Sequence, residues 1–471
     1  MDPRFDIAAD LDTPVSAFRK LAPLSPRFLL ESVEGGERLA RYSFLGLGEA
    51  MRLRIADGGL EVDGSRLPLP PRREELLGAL REALAAAPVL SAGPEPDGGA
   101  GAGGTPPIPF TGGLVGVTGF DLLRRLERVR TRTSGPTGLE AAYAAPRSVL
   151  VFDHLTRRAA LLHSGPEEER RALRSEIVAA LRGPLPGGRE GGRVEPPRPG
   201  FAEPAFLDAV RRAKGHIAAG DIFQLVLSIR FEGETEIDPF EAYRALRLTN
   251  PSPYMYFVDL GDVAVAGSSP EALVRLEGRR ASLRPIAGTR PRGATRDEDE
   301  ALERELLADP KENAEHVMLV DLARNDLGRV ALPGTIEVEP YRSIERYSHV
   351  MHMVSGTTGV LAPERDAFDL FASAFPAGTV VGAPKLRAAE ILAELEPQPR
   401  GLYAGTVGYF GSRGSMDQAI AIRTLEFRDG RYAFQAGAGI VADSVPEREH
   451  AEILAKSGAM AGALALAEEG L

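Results

Sequence analysis

The chain has 471 residues, 43% hydrophobic and 26% charged, which is ordinary for a globular protein and enough to bury one large or two medium cores. Its formal net charge of -11 comes with no long basic block, which argues against nucleic acid and anionic membrane as partners, and no stretch approaches the roughly 20 apolar residues that span a bilayer. Cysteine is absent, which excludes disulfides, thiolate zinc sites and cysteine nucleophiles from this chain, and seven histidines without a His-Glu-x-x-His argue against a zinc hydrolase, while oxygen-ligated magnesium stays open.

The opening Met1-Asp2-Pro3-Arg4-Phe5-Asp6 lacks the charged-then-apolar order of a signal peptide, and the expectation is a cytoplasmic location. Residues 91–107, dominated by Gly, Ala and Pro, read as a long surface loop within an N-terminal region. Residues 183–200 mix Gly, Pro and Arg and read as a linker, so the expected organisation is an N-terminal domain over 1–182, a linker over 183–200 and a more strongly patterned domain over 201–471. Phe206, Val210, Ala213 and Ile217 recur at helical spacing until Gly220-Asp221 ends the run. Phe223, Leu225, Leu227, Ile229 and Phe231 then alternate with Gln224, Val226, Ser228 and Arg230, which predicts a strand with one strongly buried face. Further strands are expected over 254–259, 264–268, 406–410, 419–425 and 432–436. Neighbouring strands between well-separated helices predict an α+β class, with mixed or antiparallel sheets flanked by helices.

Asp309-Pro310-Lys311-Glu312 opens a helix, with Asp as N-cap, Pro at the first position and Glu at the third; Ala314, Val317, Met318 and Leu322 are its expected apolar stripe. Glu312 and Glu315, three apart, share a face. Ser444-Val445-Pro446-Glu447 reads as a capping box on a second helix, where Glu449 and Glu452 repeat that spacing and Lys456 follows one turn on. Each pair reads equally as exposed glutamates favoured by the helix dipole, and Glu312 also as an acid bonded back to the N-cap amide. Only if the two helix starts converge would one Glu from each bind Mg²⁺ while its neighbour orients water.

Gly437-Ala438-Gly439-Ile440-Val441-Ala442 follows a predicted strand at the spacing of a dinucleotide fingerprint, but the helix after it starts too late and no βαβ unit surrounds it. It reads either as a tight turn or as a place where backbone amides approach an anion.

With these segments in view, the chain resembles the chorismate-utilising enzymes, and among them the large subunits of anthranilate synthase. The resemblance runs through Gly220-Asp221-Ile222-Phe223-Gln224, Asn250-Pro251-Ser252-Pro253-Tyr254-Met255, Pro285-Ile286-Ala287-Gly288-Thr289-Arg290, Lys311-Glu312 to Asn325-Asp326, His349-Val350-Met351-His352, Gly382-Ala383-Pro384-Lys385, Gly401-Leu402-Tyr403-Ala404-Gly405 and Gly437-Ala438-Gly439. It implies an Mg²⁺-dependent lyase that makes anthranilate and pyruvate from chorismate and ammonia, in tryptophan biosynthesis. By the same resemblance Glu315 and Glu452 are the direct metal ligands, with Glu312 and Glu449 behind them. Gly288, Thr289, Thr379, Tyr403, Arg423, Gly437, Ala438, Gly439 and Lys456 bind substrate. His352 carries the catalytic general-acid role beside Glu315; alone, a histidine in so apolar a run is more often a core residue.

The nearest alternative, aminodeoxychorismate synthase component I, typically carries Lys where this chain has Ala287. Leu29-Leu30-Glu31-Ser32 and Pro253-Tyr254-Met255 resemble the tryptophan feedback site, which implies that Leu30, Glu31, Ser32, Pro253, Tyr254 and Met255 bind L-tryptophan as inhibitor. Since the usual glutaminase needs a cysteine thioester, a separate glutamine amidotransferase subunit is expected to supply ammonia. A non-catalytic regulator that binds chorismate or tryptophan is the reading from another class.

Overall fold

In the computed structural model, residues 4–31, 41–56, 58–93, 108–129, 139–187, 191–346 and 350–471 are described. Ser32, His349 and most of the 91–107 loop therefore lie outside the described residues.

Two large sheets of 12 and 11 strands form the body, with a small three-stranded sheet beside them. Every strand pairing among the described residues is antiparallel, consistent with hairpin connections rather than βαβ crossovers. Side chains alternate between two cores, as strand geometry requires. Phe28, Phe44, Val151, Tyr256 and Val265 of the larger sheet pack with Val115, Val117, Val407 and Tyr409 of the smaller one, and Phe110 packs tilted against Tyr409 at 4.8 Å between ring centroids. Leu29, Leu45, Leu225, Leu227 and Ile229 point the other way, into a core shared with helical Val210, Leu246, Ile453 and Met460. The arrangement is α+β, with sheet packed on sheet and helices outside. No helix among the described residues is long and apolar enough to cross a membrane.

Strands from both sides of residues 183–200 enter both large sheets. Pro26–Glu31 pairs with Tyr254–Asp259, and Gly113–Thr118 pairs with Thr406–Gly411. The boundary between the two expected domains is therefore not a boundary between sheets, and Arg198–Pro199 within the expected linker adds a short edge pairing to Gln224–Glu234.

Several local expectations need correction. The strand starting near Phe223 runs over Gln224–Glu234 and is buried on both faces along most of its length, because it lies inside the 12-stranded sheet; Phe223 falls just before it and is 72% exposed. The expected strand at 419–425 is two strands: Met416–Ile420 in one sheet and Thr424–Arg428 in the other, separated where Arg423 adopts φ +50°. Period-two patterning cannot register that the chain changes sheets in mid-run.

A buried ion pair ties these layers together. Arg400, 2% exposed, donates from Nη2 at 2.7 Å and from Nε at 2.8 Å to the carboxylate of Glu396, itself 5% exposed. Its remaining hydrogen bonds go to the carbonyls of Val380 at 2.7 Å and Val226 at 2.6 Å. Glu396 accepts in turn from the amide of Ser228 at 2.9 Å and its hydroxyl at 2.6 Å. Arg400→Met leaves the carboxylate buried without its cation and is expected to lower stability by about 3–5 kcal/mol. A urea melt checks this, and Arg400→Met combined with Glu396→Leu should recover part of the loss.

Candidate active site

The helix Pro310–Gly328 starts as expected: Asp309 accepts from the amides of Lys311 at 2.9 Å and Glu312 at 3.2 Å. Glu312 does not close a capping box, and its carboxylate faces Arg290 at 3.5 Å. The buried stripe consists of His316, Leu319, Val320, Ala323 and Leu327, offset from the expected one; Ala314 and Val317 are exposed and Met318 and Leu322 only partly covered. The second helix, Pro446–Glu469, has Val445 as N-cap without a side-chain bond, so the expected capping box is absent. Ser444 instead accepts from the amide of Val441 at 3.0 Å, closing the turn that leads into the helix.

The two helix starts converge. A cavity of about 620 Å³ is lined by Lys311 and Glu315 from the first helix and by Glu449, Glu452 and Lys456 from the second, together with Gln224, Glu271, Thr379, Tyr403, Arg423, Gly437 and Gly439. Burial pushes the Glu315 carboxyl up, and the neighbouring carboxylates of Glu312 and Glu452 push it further. Gln224 Nε2 lies 3.4 Å from Glu315 Oε1. Lys456 pairs with Glu452 at 2.7 Å and donates to the Gly437 carbonyl at 3.0 Å, so this cation bridges the helix and the glycine strand.

Gly437, Ala438 and Gly439 do not form a turn. They continue the strand Arg431–Ile440, in register with Ser228, Leu227 and Val226. What excludes side chains there is space: a Cβ on Gly437 would sit 2.4 Å from the Tyr403 hydroxyl, and one on Gly439 2.8 Å from Gln224 Nε2. Ala438, on the opposite face of the strand, is buried in the helix-side core.

His352, Gly288 and Thr289 sit together on a pair of antiparallel strands adjoining the cavity and do not line it. The strands Ile286–Pro291 and Val350–Val354 shift register at Gly288, which has φ +69°. This sets Thr289 opposite His352, with Thr289 Oγ1 3.0 Å from His352 Nδ1. A Cβ on Gly288 would stand 3.1 Å from Glu312 Oε2, which places this strand pair beside the first acidic helix. Burial lowers the His352 pKa, as does the Arg423 charge to a smaller degree, and both favour a neutral imidazole.

Sequence reasoning passed over Glu271. It follows Ser268-Ser269-Pro270 and precedes the strand Ala272–Glu277, and its carboxylate accepts from Thr379 Oγ1 at 3.1 Å in the cavity wall. Burial pushes its carboxyl up to about 7. A single acid ahead of an apolar strand was the available signal.

Leu30, Glu31, Pro253, Tyr254 and Met255, expected to bind tryptophan, gather in a second cleft that shares no lining residue with the first. Pairing of Met255 with Glu31 and of Tyr256 with Leu30 brings their two motifs side by side. Leu30, Glu31, Pro253, Tyr254 and Met255 line the cleft with Tyr42, Arg41, Arg275, Tyr409 and Asp417.

Among the described residues no three acidic or histidine side chains form a ready metal cage. The donor set nevertheless suits magnesium, which commonly takes one or two carboxylates and completes its shell with water and substrate oxygens. The mutually repelling Glu315, Glu312 and Glu452 supply such carboxylates.

Because the Glu271 pKa is higher folded than unfolded, its contribution to stability is fully present below about pH 4.5 and is lost as pH rises through about 7. Glu271→Gln should remove this slope, so the variant gains stability relative to the unaltered chain between pH 5 and pH 8 in paired thermal melts.

Comparison with known proteins shows the family. The family described as chorismate binding enzyme matches residues 25–462. Anthranilate synthase component 1 of Thermus thermophilus is 47% identical over 469 residues, covering 98% of this chain and 97% of the relative, and that of Streptomyces coelicolor is 46% identical, covering 98% and 88%. The crystal structure of anthranilate synthase component I from Streptococcus pneumoniae superposes with a TM-score of 0.76 at 34% identity, covering 91% of this chain and 93% of that one. The menaquinone-specific isochorismate synthase of Escherichia coli, at 20% identity and a TM-score of 0.68, shares the fold. Its sheets, its cavity and its likeness over nearly the whole length place this chain in the family of chorismate-binding enzymes.

Proposed function

We propose that this chain is the large subunit of an anthranilate synthase, forming anthranilate and pyruvate from chorismate and ammonia. The observation that carries the reading is the convergence of Glu315, Glu449 and Glu452, from two helices far apart in sequence, on one cavity that also holds Arg423 and Tyr403. Chorismate is a dianion. Arg423 and Tyr403 suit its enolpyruvyl carboxylate, and the narrow floor over Gly437 and Gly439 lets a flat ring approach the backbone.

Glu315 and Glu452 would hold Mg²⁺, with Glu312 and Glu449 orienting its waters. When bound, the ion supplies a positive charge that grips the ring carboxylate and draws electrons from the ring. Ammonia adds at ring carbon C2 as the C4 hydroxyl leaves, and loss of the enolpyruvyl group as pyruvate then aromatises the ring. Both departures need a proton or compensating charge on oxygen. Glu271 offers a carboxyl that keeps its proton up to about pH 7 within the cavity. His352, held by Thr289 beside the cavity, is the further candidate for moving a proton during these steps.

Because the chain has no cysteine, its ammonia comes from a separate glutamine amidotransferase subunit. The relatives' designation as component 1 supports a partner. The second cleft suits a zwitterionic amino acid with an aromatic side chain: Glu31 and Asp417 stand near Arg41 and Arg275 among Leu30, Tyr254, Met255 and Tyr409. It is therefore read as the feedback site for L-tryptophan.

Anthranilate fluorescence from chorismate, Mg²⁺ and an ammonium salt tests the reaction. Chelation of Mg²⁺ should abolish the signal and re-addition restore it, while Glu315→Gln should reduce turnover about a thousandfold. Chorismate consumption without fluorescence would point to aminodeoxychorismate instead, and tryptophan binding without turnover to a regulator. L-tryptophan should suppress the fluorescence, and Tyr254→Ala should weaken that inhibition about tenfold while leaving uninhibited turnover in place. Unchanged inhibition in this variant would remove the cleft from consideration.

A further inference from the structure

His316 directly follows Glu315 on the first acidic helix and is fully buried, in a stripe continued by Leu319, Val320 and Ala323. Its Nε2 lies 2.7 Å from the Ser355 hydroxyl, and its equally buried Nδ1 has no hydrogen-bond partner among the described residues. A buried ring nitrogen left unpaired costs stability that a leucine in this stripe would not. What histidine supplies here and leucine does not is the bond to Ser355.

Ser355 is a junction. It is itself fully buried and directly follows the strand Val350–Val354, which carries His352. Its amide donates to the Pro285 carbonyl at 3.1 Å, one residue before the strand Ile286–Pro291 that carries Gly288 and Thr289. Its hydroxyl accepts from the Arg342 amide at 2.9 Å, one residue before the strand Ser343–Arg346. These three strands are the whole of the small sheet. One serine therefore gathers all three at one end, and His316 ties that end to the helix beside Glu315. At the opposite end Arg290 reaches Asp309, the N-cap of the same helix, at 2.9 Å.

We propose that His316 is a positioning residue, whose bond to Ser355 sets the Glu315 carboxylate in place relative to Thr289 and His352. The inference rests on the anthranilate synthase reading, in which Glu315 holds the metal and His352 moves a proton. Those two groups stand on separate units, one on a helix start and the other on a sheet whose strands pair only among themselves. Reacting groups misplaced by about 1 Å lose about a hundredfold in rate, so a buried bond between the two units bears directly on turnover. His316 itself lines neither the cavity nor the second cleft.

The test compares His316→Leu, which removes the bond and keeps apolar bulk, with His316→Gln, whose amide nitrogen can take the place of Nε2. With chorismate, Mg²⁺ and an ammonium salt, the leucine variant is expected to lose at least about tenfold in kcat. Its KM for chorismate should stay within about twofold, because Arg423 and Tyr403 are untouched. The glutamine variant should return to within about threefold of the unaltered kcat. Mn²⁺ binding, followed by electron paramagnetic resonance, and the thermal unfolding midpoint should be alike in all three chains. A merely structural histidine would instead lower metal binding or the midpoint together with kcat, and that result overturns the proposal. Turnover of the leucine variant within about twofold of the unaltered chain overturns it too, as does a loss that glutamine leaves unrepaired. An unaltered chain that forms no anthranilate overturns the underlying reading, and the proposal with it.

Discussion

The buried Arg400 guanidinium is the interaction on which the site's architecture depends. It joins three stretches that each contribute to the cavity: the Gln224–Glu234 strand through the Val226 carbonyl, the turn before Val381 through the Val380 carbonyl, and the Glu396–Tyr403 segment through Glu396. Its cationic carbon lies 5.0 Å from the Phe120 ring centre and 5.4 Å from that of Tyr403, so the same charge also sets the tyrosine over Gly437. A buried charge is costly unless every donor finds an acceptor, and that requirement fixes the positions of all three stretches together.

Built on this frame, the cavity is electrically polarised. Glu315, Glu449 and Glu452 crowd one end, Arg423 and Tyr403 occupy another, and Lys456 bridges them through Glu452 and the Gly437 carbonyl. The second cleft lies in a different part of the molecule, between strands of the two large sheets, with the strand Tyr254–Asp259 in its wall.

The misreadings have a common cause. Phe223, Ala314 and Val317 satisfy a local periodicity and are left outside, while Glu271, a single acid ahead of an apolar strand, is brought inside. Local pattern reports what a segment would bury if something covered it, and the fold decides whether anything does. The same holds for Gly437 and Gly439, whose spacing suggested a turn; the absence of side chains serves the neighbouring Tyr403 and Gln224, residues remote in sequence.

The sequence by itself determined the class of the fold, several strand and helix positions in its C-terminal half, the N-cap at Asp309 and, through long ordered motifs, membership in a chorismate-binding family. These features depend on neighbours in the chain, on period and on specific residue identity, all of which are local. Only the tertiary structure decided that the acidic pairs at 312–315 and 449–452 meet, that residues 30–31 lie against 253–255, and that the chain changes sheets at Arg423. Those outcomes are set by sheet register and by burial of side chains more than a hundred residues apart, which no local pattern encodes.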